Sequence, residues 1–328
     1  MTRWGVLATG GIAATVAGDL AAVEGAELLA VASRGAERAA AFAAEHGVAR
    51  SYGSYADLLA DPDVDVVYVA TPHGLHREVA GAALRAGKPV LVEKSFTTTT
   101  AGARELVDLA RERGLFCMEA MWTRFQPAVV EVLGLLADGV VGDVRHVAAD
   151  LGFRVPPGTA RFVEPSLGGG ALLDMGVYPV SLAHMVLGAP DEVVARGTLA
   201  PSGVDAEATL LLSHPTGATA ALHTTMVGAP PRRGAVVGTE GHVLTEGGAL
   251  HRPDAFVLHR TGEEPRRVAH AQVGRGYGPM LRHVQECLAQ GLTESPVWPL
   301  SSTLAVLDVL EQALHQLGVV MDDAPGAG

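Results

Sequence analysis

The first 120 or so residues alternate short apolar runs with Ala-rich segments of helical periodicity. The runs at 64–69 and 90–92 show little alternation of apolar and polar positions, which is typical of strands covered by helices on both faces. Strands that alternate with helices predict βαβ units and a parallel sheet. We place strands at 4–7, 28–32, 64–69, 90–92 and 115–118, and helices at 37–46, 78–86 and 101–113.

Beyond residue 122 the pattern changes to successive strands joined by turns that carry Gly or Pro, which predicts a mostly antiparallel sheet. We place these strands at 144–151, 192–198, 206–213, 218–225, 233–237, 242–244 and 255–259, and helices at 171–187, 278–290 and 301–317. The predicted fold class is α/β, with a doubly wound parallel sheet over residues 1–122 and an α+β domain with a mostly antiparallel sheet over residues 123–328. The tail at 322–326 is predicted to be disordered.

Composition and charge narrow the functional classes. The chain has 328 residues, 48% hydrophobic and 18% charged, so it can bury large cores and is long enough for two domains. Its formal net charge is −12, and no basic run is longer than two residues, as at Arg232-Arg233. Both features argue against nucleic acid and an anionic membrane surface as partners.

Two further features concern compartment and thiol chemistry. The N-terminal apolar stretch is too short for a secretion signal, and no later segment reaches about 18 uninterrupted apolar residues. We therefore expect a soluble, cytoplasmic protein. Cys117 and Cys287 belong to no CxxC or Cys/His cluster, so we expect two buried apolar side chains and no disulfide framework.

The turn after the first strand, Ala8-Thr9-Gly10-Gly11-Ile12-Ala13, fits the GxGxxG/A dinucleotide fingerprint with alanine in the first glycine position. Small residues let the backbone approach a pyrophosphate, and the free N–H groups of a helix N-terminus favour an anion. An ordinary strand-to-helix turn is the alternative. The strand before the turn and the helix after it favour the dinucleotide site.

The end of the second strand bears on the choice of cofactor. NAD-binding proteins carry Asp or Glu there to bind the ribose 2′-OH, whereas this chain has Ala32-Ser33-Arg34. A 2′-phosphate can accept a hydroxyl from Ser33 and a charge-assisted hydrogen bond from Arg34. The sequence therefore favours NADP(H) over NAD(H), unless Arg34 is only a solvated surface residue.

Lysine usage points to one short run. The chain has two lysines, Lys88 and Lys94, among 24 basic residues. An ammonium group can be tuned toward neutrality and can pass a proton, which arginine effectively never does. Lys94 follows the apolar run 90–92 and so should lie at the carboxyl end of a buried strand, where open α/β sheets bind ligands. Lys88 is expected to be a solvated surface residue.

The loop Thr71-Pro72-His73-Gly74-Leu75-His76 follows another predicted strand. Its HxxH spacing could suggest a metal, but no Cys, Asp or Glu cluster accompanies it. We therefore predict no metal site, and a position near the cofactor explains the loop better.

The predicted helix at 171–187 places Asp174 and Tyr178 four residues apart, so both side chains can reach the same small volume. A nearby ammonium group would favour the phenolate of Tyr178 and make it a usable general acid or base. Gly176, which lacks a side chain, would leave room for a ligand. By periodicity alone, Tyr178 would more often be a core residue.

Together these residues resemble the family of glucose-fructose oxidoreductase and inositol dehydrogenase (Gfo/Idh/MocA), within it the branch of dimeric dihydrodiol dehydrogenase and NADP-dependent D-xylose dehydrogenase. The resemblance covers nearly the whole chain. It rests on Arg3-Trp4-Gly5-Val6, Gly10-Gly11-Ile12-Ala13, Val31-Ala32-Ser33-Arg34, Glu93-Lys94, the run 118–125 (Met-Glu-Ala-Met-Trp-Thr-Arg-Phe), the run 168–174 with Tyr178, and Glu294-Ser295-Pro296-Val297. Inositol dehydrogenases carry His where this chain has Tyr178.

The chain departs from this family at two positions. Ala8 stands where many relatives have Gly, and Ser95 stands where the Glu-Lys-Pro motif has Pro. The first could weaken dinucleotide affinity. The second could change how rigidly Lys94 is presented.

The resemblance implies that Lys94 and Tyr178 flank the reacting carbon, that Asp174 orients them, and that subunits associate through the open sheet as a homodimer or homotetramer. The cofactor-binding residues predicted from the turns and the resemblance are Ala8, Thr9, Gly10, Gly11, Ile12, Ser33, Arg34, Arg38, Thr71, Pro72, His73, His76, Glu93, Lys94, Trp122 and Arg124. The predicted substrate pocket contains Trp122, Phe153, Arg161 and Tyr178, and Arg154 and Phe162 beside them suit either a sugar or an aromatic diol.

The predicted function is reversible, NADP-dependent hydride transfer to or from a carbinol carbon of a sugar, polyol or cyclic trans-diol. The first domain would bind the dinucleotide, and the second would bind substrate and form the oligomer. Two alternatives stay open: an NADPH-dependent reductase of ketones or dicarbonyl sugars, and a cofactor-binding sensor or partner protein without turnover.

Overall fold

A computed structural model describes residues 1–156 and 158–322. The chain divides into two compact units. The first unit joins residues 1–122 with residues 272–303, and the second unit joins residues 123–271 with residues 304–322. The segment 272–303 therefore belongs with the first unit, whereas the linear division at residue 122 assigns it to the second. Beyond Asp322, the predicted disordered tail lies outside the described residues.

The first unit begins with alternating strands and helices. They are β1 (Thr2–Leu7), α1 (Gly11–Leu20), β2 (Ala26–Ala32), α2 (Ala36–His46), β3 (Arg50–Tyr52), α3 (Tyr55–Leu59), β4 (Val66–Val69), α4 (His76–Arg85), β5 (Val90–Val92), α5 (Thr100–Arg113) and β6 (Cys117–Glu119). Every neighbouring pair of strands is parallel, in the order β3-β2-β1-β4-β5-β6. The predicted doubly wound sheet is thus confirmed, and every residue of β4 and β5 is buried.

This strand order places a reversal between β1 and β4. In open α/β sheets the crevice at such a reversal, outside the carboxyl ends of the strands, is the usual ligand site. The sequence prediction missed β3, because a three-residue, partly exposed edge strand with Arg and Ser carries no apolar run.

The second unit contains a larger sheet with helices against one face. Its elements are α6 (Pro127–Ala137), β7 (Val144–Gly152), α7 (Ala160–Val163), α8 (Val177–Leu187), β8 (Glu192–Leu199), β9 (Asp205–Ser213), β10 (Thr219–Thr225), β11 (Gly234–Gly238), β12 (Gly241–Glu246), β13 (Ala255–Arg260) and β14 (Arg266–Ala269). The strand order is β14-β13-β12-β11-β7-β10-β9-β8. Only β7 and β10 pair in parallel among these neighbours, which confirms the mostly antiparallel sheet.

The core of the second unit lies between this sheet and its helices. Burial alternates along β9 and β10, as expected for strands with one covered face. At the β13 side, α6 supplies Ala128 and Val132 to a cluster with Phe256 and Leu258. The stretch Pro165–Leu187 is long and apolar enough to cross a membrane, but 78% of its apolar window is buried in the protein. A core helix accounts for that composition.

Two further helices lie toward the C-terminal end, α9 (Gly278–Ala289) and α10 (Leu300–Gln316). Within the first unit α9 packs against α1. The Asp19 carboxylate on α1 accepts hydrogen bonds from the N–H groups of Arg275 and Tyr277, at 2.8 and 2.7 Å. These contacts are why the segment 272–303 belongs with the first unit.

Candidate active site

The predicted cofactor residues of the first unit follow the carboxyl ends of its strands. Thr9 follows β1, Ser33 follows β2, Thr71 follows β4, Glu93 follows β5, and Trp122 comes after β6. Because the carboxyl ends of parallel strands share one edge of a sheet, the topology brings these five loops together. The predicted catalytic residues divide between the units: Lys94 belongs to the first, and Asp174 and Tyr178 belong to the second.

The turn between β1 and α1 has the features of an anion cradle. Gly10 is the N-cap of α1, and no side chain caps the helix. A Cβ built on Gly10 or Gly11 would meet no atom within 4 Å, so a pyrophosphate could approach the helix N-terminus closely. Ala8 has φ +93°, a left-handed conformation that costs a non-glycine residue about 1–2 kcal/mol. A glycine at this position would avoid this cost.

The end of β2 presents a cationic cluster. Ser33 is buried, and its N–H donates to Tyr52 O at 3.2 Å, whereas Arg34 and Arg38 are exposed. Burial raises the pKa of the Tyr55 phenol, and the charges of Arg34 and Arg38 oppose that rise. A phenol and two guanidinium groups can bind an anionic group at this strand end. Sequence reasoning missed Tyr55, which is distant along the chain from the other three.

The histidines of the loop after β4 contact backbone carbonyl groups. His73 Nε2 lies 3.0 Å from Lys94 O. His76 is fully buried, with Nδ1 2.8 Å from Ser95 O and Nε2 2.7 Å from Thr71 O. Burial lowers the pKa of His76, which favours the neutral ring. These contacts link the loop after β4 to the segment that carries Lys94.

Glu93 is a buried acid that contacts the backbone of Lys94. Its Oε1 accepts the hydroxyl proton of Tyr68 at 2.5 Å, and its Oε2 accepts the N–H of Lys94 at 3.1 Å. Burial raises the pKa of Glu93 to about 7, although the charge of Lys94 and the Tyr68 bond pull it down. Glu93 is among the predicted cofactor-binding residues. In the structure it is 4% exposed and contacts the protein itself, and Tyr68 is a partner that the sequence did not reveal.

Trp122 packs against an aromatic partner from the C-terminal segment. Its ring stacks on Tyr277, with the centroids 4.4 Å apart and the planes 9° from parallel. The Asp19 carboxylate holds the backbone of Tyr277. Arg124 is half-buried in the second unit, where burial lowers its pKa.

In the second unit, Asp174 pairs with Arg161. Arg161 Nη1 lies 3.0 Å from Asp174 Oδ1, and the carboxylate is largely buried while the guanidinium is more than half exposed. The same guanidinium lies 4.0 Å from the centroid of the Phe162 ring. Phe153, 40% exposed, meets Phe162 edge-on at 5.7 Å between centroids. Phe153 and Arg161 therefore both contact the ring of Phe162. These three residues, all predicted to lie near the substrate, form one aromatic and cationic cluster.

Tyr178 is 6% exposed and has a histidine neighbour. The rings of Tyr178 and His251 have centroids 5.2 Å apart. Thr123 Oγ1 donates to His251 O at 2.7 Å and so fixes the loop that carries this ring. His251 lies 73 residues further along the chain and has no motif around it, so the sequence offered no signal for it.

The helix that carries Asp174 and Tyr178 differs from the prediction in two respects. Residues Leu172–Gly176 form a π-helical turn, and regular α-helix begins at Val177. Such turns are rare and often occur at functional sites. The prediction that Gly176 leaves room for a ligand is wrong. A Cβ there would lie 3.2 Å from Leu172 Cδ2 and Thr224 Cγ2, so the glycine allows the helix to pack on β10.

Lys88 is not the solvated residue that we expected. It is half-buried, and its Nζ donates to Asp61 O at 2.6 Å and Val64 O at 2.9 Å. Its role is therefore structural, at the amino end of β5. Cys117 and Cys287 are buried and free, as predicted.

Comparison with known proteins accounts for both units. The family model described as oxidoreductase family, NAD-binding Rossmann fold, matches residues 2–121, and the model of the GFO/IDH/MocA C-terminal domain matches residues 129–244. The trans-1,2-dihydrobenzene-1,2-diol dehydrogenase of Xenopus laevis is 37% identical over 334 residues, covering 97% of this chain and 99% of the relative.

Two solved structures share the fold over nearly the whole chain. The aldose-aldose oxidoreductase of Caulobacter crescentus, complexed with glycerol, has a TM-score of 0.88 at 28% identity and covers 97% of both chains. KijD10, a 3-ketoreductase of Actinomadura kijaniata in complex with NADP and TDP-benzene, has a TM-score of 0.84 at 29% identity, covering 96% of this chain and 97% of its own. With a Rossmann unit, an open-sheet unit and full-length relatives, this chain belongs to the Gfo/Idh/MocA family of NAD(P)-dependent oxidoreductases.

Proposed function

We propose that this chain is an NADP(H)-dependent dehydrogenase acting on a carbinol carbon of a sugar, a polyol or a cyclic trans-diol. The observation that carries the proposal is the full-length identity of 37% with a trans-dihydrodiol dehydrogenase. The arrangement around Lys94 supports it: the lysine follows β5 at the carboxyl edge of the sheet, with Glu93 and His73 bonded to its own backbone.

In the proposed reaction the nicotinamide, when bound, accepts or donates the hydride. Tyr178 exchanges the proton of the reacting hydroxyl group. Lys94 favours the phenolate of Tyr178 and stabilises the developing alkoxide, which is the kind of positioned charge that lowers such barriers most. Asp174, held by Arg161, orients Tyr178 and Lys94.

The preference for NADP(H) is proposed from the cluster at the end of β2. The charges of Arg34 and Arg38 act on Tyr55 near the end of β2, where NAD-specific proteins carry a carboxylate. The N-terminus of α1, uncapped by any side chain, would hold the pyrophosphate. Initial rates with NADP and NAD at equal concentration test this preference, and equal kcat/KM values for the two would refute it.

A substrate panel tests the reaction class. We propose D-xylose, D-glucose, inositol and a trans-dihydrodiol, followed through the absorbance of the reduced nicotinamide. The edge-on Phe153 and Phe162 rings favour the apolar ring of the trans-dihydrodiol, whereas Arg161 and Asp174 can bind sugar hydroxyl groups. Turnover of any member supports the proposal. No turnover across the panel, with NADPH still bound, would favour the reductase or the sensor.

Replacement of Lys94 tests its role directly. Lys94→Met should lower kcat by about 10²–10⁴-fold, the usual contribution of a proton-transfer group, and should leave NADPH affinity, measured by fluorescence, nearly unchanged. Lys88→Arg is the matched control, because it removes the other lysine and keeps a donor for two carbonyl groups. More than about a tenth of wild-type activity in Lys94→Met would make the proposed role untenable.

A second candidate is the reverse direction, NADPH-dependent reduction of a ketone on a sugar. The observation that favours it is the likeness to the NADP-bound 3-ketoreductase. The same proton-transfer groups serve both directions, so kinetics must decide. A kcat/KM for a keto sugar well above that for every alcohol of the panel would establish the reductase.

We also propose a homo-oligomer, formed through the uncovered face of the large sheet. By strand register, one row crosses seven strands through Val194, Leu211, Ala221, Ala148, Ala235, Leu244 and Val257. Every member is apolar, and Leu211 is 53% exposed, which is typical of an interface. Light scattering should give at least a dimer for the wild type and a monomer for Leu211→Arg. A monomeric wild type would contradict the proposal.

A further inference from the structure

Glu119 occupies a buried position between the Lys94 segment and the C-terminal part of the first unit. It is the last residue of β6, pairs with Val92 of β5, and is 2% exposed. Its Oε1 accepts the N–H of Phe96 at 3.1 Å. Its Oε2 accepts from Trp298 Nε1 at 3.0 Å and from Thr303 Oγ1 at 2.9 Å. Three donors from two segments of the chain therefore fix this carboxylate in one orientation.

The backbone from Lys94 to Phe96 is held on both sides by buried side chains. Glu93 accepts the N–H of Lys94, His73 contacts its carbonyl oxygen, His76 contacts the carbonyl oxygen of Ser95, and Glu119 accepts the N–H of Phe96. The family motif has proline after the lysine, where a ring would restrict the chain. Ser95 has no ring, so here the restriction comes from the surrounding side chains.

We infer that Glu119 is a positioning residue for Lys94. It acts through the hydrogen bond that its carboxylate accepts from the Phe96 N–H. The inference deepens the proposed function, because it concerns the lysine on which that function rests. A shift of about 1 Å in a group near the reaction can cost about 10²-fold in rate, so the anchor two residues from Lys94 matters to turnover. The competing role is a purely structural one, in which Glu119 only attaches Trp298 and Thr303 to β6.

Three variants separate position, charge and stability. Glu119→Asp keeps the carboxyl group but shortens the side chain, so it cannot reach Phe96, Trp298 and Thr303 together. Glu119→Gln keeps an oxygen for Phe96 but places an amide nitrogen opposite two donors. Ser295→Ala is the matched control: its hydroxyl is fully buried and accepts the N–H groups of Val297 and Trp298, in the same C-terminal segment.

The position of Lys94 can be read without turnover. The chain has two lysines, so reductive ¹³C-methylation gives two lysine NMR signals besides that of the N-terminal amine, and Lys88→Arg assigns the two lysine signals. We expect Glu119→Asp to shift the Lys94 signal, because the distance from the Lys94 ammonium group to buried carboxyl groups such as Glu93 changes. The kcat should fall by about 10–100-fold. Ser295→Ala should leave both quantities at their wild-type values while lowering the melting temperature.

The other outcomes decide against the inference. A Lys94 signal and kcat unchanged in Glu119→Asp, with Glu119→Gln altered, would mean that charge alone matters. Equal effects of Glu119→Asp and Ser295→Ala would mean a structural role. If neither Glu119 variant folds, Trp298→Phe, which loosens the same carboxylate, carries the test, and an unmoved Lys94 signal refutes positioning. An inactive wild type would defeat the proposed function, whereas the NMR result would still judge Glu119.

Discussion

Replacement of Asp205 by asparagine should remove a pH-dependent destabilisation of the second unit. Asp205 begins β9 and is 0% exposed. Its Oδ2 accepts the N–H of Leu172 at 2.6 Å, at the start of the π-helical turn that carries Asp174. Its Oδ1 has no hydrogen-bond partner among the described residues. Burial raises the pKa of Asp205 from 3.8 to about 7, although backbone N–H groups oppose the rise.

The size of the effect follows from this shift. A rise of about 3 pKa units corresponds to about 4 kcal/mol. Because the folded state binds the proton more tightly than the unfolded state, this contribution to stability is fully present below about pH 4. It is lost as the pH rises to about 7, and above that it stays constant. Asparagine keeps an oxygen for the Leu172 N–H and has no charge. The free energy of unfolding of the variant should therefore not fall in this way as the pH rises.

The assay is urea unfolding followed by circular dichroism at several pH values between 4 and 8. The difference in unfolding free energy, variant minus wild type, should increase by up to about 4 kcal/mol across this range. Asp138→Asn, at an exposed aspartate in the same unit, should show no such change. If the difference between Asp205→Asn and wild type stays constant with pH, the carboxylate is not the buried, proton-binding group inferred here.

Three further predictions concern the first unit and the thiols. Ala8→Gly should stabilise the protein by about 0.5–1 kcal/mol, since relief of the left-handed alanine exceeds the added freedom of the unfolded chain; Ala14→Gly, inside α1, should destabilise it in the same urea assay. Arg34→Ala should weaken NADP binding by about 10–100-fold, the range for a charge-assisted hydrogen bond, and leave NAD binding unchanged. Equal losses of affinity for NADP and NAD in a fluorescence titration would show that Arg34 does not contact the 2′-phosphate. Burial raises the pKa of the Cys117 thiol to about 12 and also raises that of Cys287, so DTNB at pH 8 should detect no reactive thiol in the native protein and two in urea. Rapid reaction of DTNB with the native protein would contradict the burial of these thiols.

Much of the fold was readable from local sequence. Uninterrupted apolar runs at β4 and β5 indicated strands covered on both faces, and successive strands with turns indicated the antiparallel sheet. The sequence likewise predicted the dinucleotide turn at Gly10 and Gly11 and the cofactor-binding residues at the end of β2. In each case neighbours in sequence carry the signal, because strand and helix periods extend over only a few residues. Short or polar elements such as β3 and β14 lacked such a period and were missed.

What the sequence by itself determined is therefore the class of fold, the family and the loops that carry the candidate chemistry. Only the tertiary structure decided how those loops are held: Glu119 meets Thr303 across 184 residues, and Asp205 meets Leu172 across 33. The tertiary structure also decided that Gly176 allows its helix to pack against β10 and that Lys88 donates hydrogen bonds to backbone carbonyl groups. Buried polar groups must find partners wherever the fold brings them, so the partner's identity depends on three-dimensional proximity and leaves no periodic trace along the chain.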